Sequence, residues 1–403
     1  MNLADMLGYA DIKQLNRIAD AYRCECNGNS KNELIQSILS TVGRKEVFEA
    51  QIGSMKLEEL RFINSLLFEK RNAFSLEELI ARVHNSKFDA DKPQASSAGQ
   101  TDSKPAKNRK SKSKPKAKAK AEVPSDSPRD IIARFKHQGW LFNGLAGPDR
   151  YLFQVPDDLK RRFQETMRRR FAAGLIYTDE PSVYRDEQQL LNEDVLAFLR
   201  FVRHNEVPLT AEGFMYRRSI QAAIESFGVR EDLPQKTAWR FGYGRRFREY
   251  PERMSLLYDY CYYNSRIEEN DGSLVLTAAG EEWVKEKRCD EPTQLYRFWL
   301  RLYKGAIPNL LSFVHWIDAL AGQWVTVDSL RSALTPYIKS YFYDTPDDVF
   351  DKRILSMMLH LGLLRIGEDA NYGAVAVMTR LGKAVVAGVH VEHHDYIELP
   401  RDR

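Results

Sequence analysis

The chain has 403 residues, 43% of them hydrophobic and 29% charged, with a formal net charge of +4. That composition is ordinary for globular protein, and the length allows roughly two to four domains. No apolar run reaches the roughly 18 residues of a membrane span, and the N-terminal MNLADMLGYADIK lacks the basic and apolar regions of a signal peptide. Four cysteines, Cys24, Cys26, Cys261 and Cys289, are too few and too scattered for a disulfide framework, so a reducing, cytoplasmic compartment is expected.

Residues 1–45 read as helix, extended polar loop, helix, with Ser30 and Glu33 forming a capping box before the second helix. Ile12, Leu15, Ile18 and Ala19 share one face, and Leu34, Ile35, Ile38 and Leu39 answer it. On those residues the segment resembles the helix-extended-loop-helix units of SAP-type and Rho N-terminal domains. The resemblance implies nucleic-acid binding, and a plain helical hairpin docked on its neighbour is the alternative. Cys24-x-Cys26 is one residue short of a zinc knuckle and has no second Cys/His pair, so no metal site is expected.

Residues 46–89 carry two helical patterns, KLEELRFINSLLFEKRN and SLEELIARVHN, and residues 128–158 carry a third helix and a short hairpin. Together they predict a first winged helix split by an insertion. Within the insertion, residues 90–127, the stretch from Lys104 to Lys120 holds nine basic residues and no acid: Lys104, Lys107, Arg109, Lys110, Lys112, Lys114, Lys116, Lys118 and Lys120. These nine exceed the whole net charge of +4 and leave −5 for the rest, so nucleic-acid contact must come from local patches. The segment has almost nothing to bury, which predicts disorder and phosphate neutralisation without base reading. A solubilising linker is the alternative.

Residues 159–189 predict a bridging basic helix, with Arg161, Arg162, Arg168 and Arg169 on one face and Phe163, Met167, Phe171 and Leu175 on another. Residues 190–300 then order as three helices, a hairpin at Asp271-Gly272 and a closing helix capped by Thr277, with Thr210 as the expected cap of the second helix. Residues 301–403 repeat the plan, ending in Gly362-Leu363-Leu364, two strands and Thr379-Arg380-Leu381-Gly382, with Val389 and Val391 alternating as in a strand. The expected fold class is therefore mainly α with short β-hairpins (α+β): tandem winged-helix modules, a small N-terminal helical unit and a disordered basic insertion.

PLTAEGFMYRR at 208–218, LTAAGEEWV at 276–284 and FWLRLY at 298–303 resemble the helicase-associated N-terminal domain of XPB-type helicases. Gly322, Trp324, Thr379 and Gly382 extend the likeness downstream. The resemblance implies double-stranded DNA as partner and an accessory role beside a helicase or another DNA-processing machine. The chain departs from that pattern in its basic tract and in residues 230–250. There Trp239, Arg240, Arg245, Arg246 and Arg248 interleave with Phe241, Tyr243, Phe247 and Tyr250, a composition suited to phosphate contact with base stacking. Arg217 and Arg218 join the same candidate surface. No phosphate-cradling glycine loop, metalloprotease motif or nucleophile elbow occurs, so neither catalysis nor a cofactor is expected. The competing expectation is a scaffold whose winged helices bind protein.

Overall fold

The computed structural model describes residues 1–26, 28, 30–88, 126–144, 150–235, 242–391 and 395–397. The chain is mainly helical with small antiparallel sheets, an α+β architecture. The lysine tract 104–120, Trp239, Arg240 and Phe241 lie outside the described residues.

Four helices open the chain: α1 (Leu3–Tyr9), α2 (Ile12–Ala21), α3 (Lys31–Gly43) and α4 (Lys45–Ser54). Ser30 caps α3 by accepting from the Glu33 amide at 3.4 Å. The sequence anticipates only α2 and α3. α1 and α4 are short, and they are held by tertiary packing through buried Leu3, Met6, Leu7, Phe48 and Ile52.

The next module comprises α5 (Leu57–Leu67), α6 (Leu76–Ser86), α7 (Pro128–His137), β1 (Phe142–Asn143) and β2 (Phe153–Gln154). Phe74, between α5 and α6, pairs with Phe153 as a third, one-residue strand. The two stretches close on each other across the insertion. Phe62 packs on Phe135 at 5.3 Å. Asp126 accepts from Arg134 at 2.5 Å and from Lys56 at 3.3 Å. Buried Trp140 then joins the N-terminal unit to α8 (Asp157–Ala172), touching Phe48 at 5.6 Å and Phe163 at 5.7 Å.

α8 ends at residue 172, and no helix continues to 189. Residues 176–185 instead form an extended strap along the C-terminal sheet. Tyr177 bridges Val325, and β3 (Tyr184–Arg185) pairs with Ile366 and Gly367.

The central module runs α9 (Leu190–His204), α10 (Arg217–Glu225), α11 (Glu252–Tyr263), β4 (Ile267–Asn270), β5 (Ser273–Leu276) and α12 (Ala278–Glu286). Pro208 pairs with Ser273, which adds an edge strand between α9 and α10. Thr210 therefore caps no helix. It begins a tight turn, accepting the Gly213 amide at 2.8 Å, and α10 starts seven residues later. Gly213 takes φ 79° in that turn, a conformation that costs glycine little.

α13 (Pro292–Tyr303) leads to the last module: α14 (Leu310–Leu320), β6 (Val325–Thr326), α15 (Val327–Leu334), then one long helix. That helix begins as α16 (Pro346–Asp348), passes through a π-helical stretch, Val349–Leu355, and ends as α17 (Ser356–His360). β7 (Leu364–Asp369), β8 (Gly373–Met378) and α18 (Arg380–Gly388) complete it, with sheet order β3-β7-β8-β6. Val389 and Val391 are buried after α18 without forming a strand.

The recurrent Leu/Met-Thr-x-x-Gly step has one geometry in both later modules. Thr277 accepts the Gly280 amide at 3.0 Å and donates to the Ser265 carbonyl at 2.6 Å. Thr379 accepts from Gly382 at 2.8 Å and donates to the Gly362 carbonyl at 2.9 Å. The threonine thus joins the end of the third helix to the start of the closing one, which gives the motif a structural purpose. The first module reaches its closing helix through Pro156 and has no such cap.

Candidate nucleic-acid interface

The three modules present their third helices very differently. In α11 every residue from Arg253 to Cys261 is buried, and solvent reaches the helix only at its ends, at half-buried Glu252, Tyr262 and Tyr263. The 349–360 helix is buried at Val349, Phe350, Arg353, Ile354, Leu355 and Met357 through His360. α7 keeps an open face that carries arginine, lysine and histidine, with Arg129, Asp130 and Ala133 exposed and Lys136 and His137 half-buried, whereas the 346–360 helix exposes Asp347 and Lys352.

The 242–250 segment folds inward. Arg245 and Arg246 converge on Glu269, at 3.3 Å and 2.9 Å, and Tyr258 donates to the same carboxylate at 2.8 Å. Arg245 also lies 3.7 Å over the Tyr262 ring. Tyr243 is buried against Tyr303 and Tyr341, and the Tyr250 hydroxyl accepts the Met215 amide at 2.9 Å. The expectation that Arg245 and Arg246 offer phosphate contacts is corrected: both guanidinium groups are half-buried and held by one carboxylate of β4. Spacing along the chain cannot reveal that Glu269 faces them.

Asp259 lies beneath this segment, fully buried, and accepts the Arg245 amide at 3.0 Å. Burial pushes its carboxyl up to about 7. Its folded-state value is thus above its unfolded one, so the stabilisation is complete below about pH 4 and is lost as pH rises through about 7. Asp259→Asn is expected to flatten the melting temperature against pH over that window. An unchanged slope would remove Asp259 as its source.

The remaining candidates divide. Arg248, Arg217 and Arg218 are exposed, and Arg217 donates to the Pro234 carbonyl at 2.6 Å. On α8, Arg161 and Arg168 point outward as expected, but the four arginines do not form one solvated face. Arg162 crosses the Phe48 ring at 4.2 Å and donates to the Val42 carbonyl at 2.8 Å, which caps α3. Arg169 pairs with Glu49 at 2.9 Å.

A second cationic cluster, not singled out by the sequence, lies where α2 meets α7. Arg17 Nη1 stands 3.3 Å from His137 Nε2. The two helices are fixed by the Tyr22 hydroxyl, which donates to the Gln138 carbonyl at 3.0 Å. Lys136 donates to Asn143 at 2.7 Å, and the hairpin beyond carries exposed Arg150 and Tyr151, the latter 81% exposed. The contributing residues lie more than a hundred positions apart in the chain, so sequence pattern could not assemble them.

Among the described residues, no group of three or more His, Cys, Asp or Glu side chains is placed to hold a metal ion. No helix among them is long and apolar enough to cross a membrane. Comparison with models of protein families, with curated proteins and with solved structures returns no match.

Proposed function

We propose that this protein is a non-catalytic binder of double-stranded DNA that engages it through the first module. One observation carries the reading: α7, the third helix with an open basic face, follows directly on the lysine-rich insertion. Both ends of that insertion are pinned to the module. Arg61 lies 3.5 Å over the Phe88 ring at one end, and Arg134 holds Asp126 at the other. In sequence, the nine cations of residues 104–120 therefore lie between two points anchored on this module.

The resemblance to helicase-associated domains supports an accessory role beside a helicase or similar DNA-processing machine, in the cytoplasm and, if the source is bacterial, at the nucleoid. Burial of α11 and of the 349–360 helix supports a second reading, in which these modules are packing units of a protein scaffold.

Salt separates the two. Each phosphate-bound cation contributes about 0.9 to the slope of log K against log salt on duplex DNA. Deleting residues 104–120 is expected to weaken duplex binding irrespective of sequence and to flatten that slope. Full-length protein that binds neither duplex nor single-stranded DNA at low salt would leave the scaffold reading standing.

A further inference from the structure

We propose that the junction of α2 and α7 is a seat for the phosphate backbone of duplex DNA, and that His137 takes up a proton when a phosphate occupies it. The inference rests on the DNA-binding reading above and adds the surface and its pH dependence.

The geometry begins with the 3.3 Å contact between Arg17 Nη1 and His137 Nε2. A guanidinium can only donate, so Nε2 must offer its lone pair, and the ring is neutral with its proton on Nδ1. The charged groups bearing on the ring are Arg17 from α2 and Lys136 from its own helix, both cations. Partial burial first, and then these two charges, hold the imidazole below its ordinary value. Of the carboxylates on the packed elements, Glu59 and Asp126 are engaged by Arg134, Asp130 is engaged by Ser127 at the N-terminus of α7, and Asp20 lies exposed on α2 one turn beyond Arg17. Among the described residues, Arg17, Arg129 and Arg150 pair with no carboxylate, so a run of cations stands without a counter-charge.

A phosphate oxygen arriving here replaces the Nε2 lone pair as the acceptor for Arg17. The freed Nε2 then binds a proton from solvent and becomes a second donor to the same phosphate. No other bond is made or broken. The surface needs no rearrangement to form, because the Tyr22 to Gln138 hydrogen bond and the packing of Ile18 on Gly139 set α2 against α7. Lys136 and Asn143 extend the same surface to the β1–β2 hairpin, where Arg150 and Tyr151 project.

The His137 value is raised on binding, so the added affinity is present at low pH and vanishes as pH rises through the bound-state value. Fluorescence anisotropy of a labelled duplex with the full chain is expected to show affinity rising as pH falls from about 8 to about 6. His137→Gln should abolish that dependence. Arg17→Ala with Arg129→Ala should weaken binding several-fold and lower the salt slope by about one for each phosphate that is no longer neutralised. Arg17 and Arg129 are exposed and His137 is only half-buried, so melting temperature should stay within a few degrees.

If these variants bind with unchanged affinity, salt slope and pH profile while removal of the lysine tract abolishes binding, the seat is overturned and the DNA-binding reading survives. If the wild-type protein binds no DNA at all, both fall. Polyglutamate that binds as tightly as the duplex, with the same dependence on Arg17 and His137, would overturn the seat in favour of an acidic protein partner.

Discussion

Arg253→Met should lower stability by about 3–5 kcal/mol, read as a fall in the urea midpoint, because it leaves buried Asp194 without its counter-charge. Arg253 is fully buried at the start of α11. Its Nη2 lies 2.6 Å from Asp194 of α9, and its Nε lies 3.6 Å from Glu187, just beyond the strap. Glu187 in turn contacts His360 Nδ1 at 2.8 Å and Arg185 of the strap at 2.5 Å, so the cluster links the central module, the strap and the C-terminal module. Methionine fills much of the volume but neutralises nothing. Arg203→Ala is the comparison, since its pair with Glu281 is a third exposed and should cost no more than about 1 kcal/mol. Equal effects from the two variants would show that the buried cluster adds nothing beyond a surface pair.

Gly382→Ala should cost about 3 kcal/mol or more, at or beyond the upper end of ordinary overpacking. A Cβ there would sit 2.0 Å from the Leu363 carbonyl oxygen. That oxygen belongs to backbone that also accepts from the Thr379 amide at 2.9 Å, and it cannot retreat without opening the sheet. Gly280→Ala should behave alike, with its Cβ 2.1 Å from the Arg266 carbonyl oxygen. Gly388→Ala, at the end of α18 with nothing within 4 Å, should instead be neutral or stabilising by up to about 1 kcal/mol. Melting curves of the three variants would test the scheme, and a benign Gly382→Ala would sink the close-approach account of the motif.

Much of the helical order was legible in the chain because its signals are local. Ser30, Ser75, Thr277 and Thr379 each accept an amide three residues on, as their spacing implies. The Asp271-Gly272 hairpin is equally local, with both residues at positive φ. What escaped was decided by partners distant in sequence. Thr210 reads as a cap, yet pairing of Pro208 with Ser273 draws it into a turn. The extended strap follows α8 because the C-terminal sheet, far down the chain, supplies its hydrogen bonds. The candidate surface shows the same division. Positive charge is visible in composition, but the buried or exposed state of a given arginine depends on whether an acid such as Glu269 folds against it.

The strap has a consequence for how the protein can be taken apart. It lies against both margins of the C-terminal sheet, Tyr177 beside β6 and Tyr184–Arg185 beside β7. Exposed margins recruit strands from other molecules, so a last module stripped of the strap is expected to pair with its own copies. The repeat units are thus not interchangeable cassettes. A fragment starting at residue 190 would carry the whole third unit by sequence and still lack its edges, and it should self-associate where a fragment starting at residue 174 stays monomeric. During synthesis the strap emerges well before the strands it covers, and it must wait unpaired until the sheet it guards has been made.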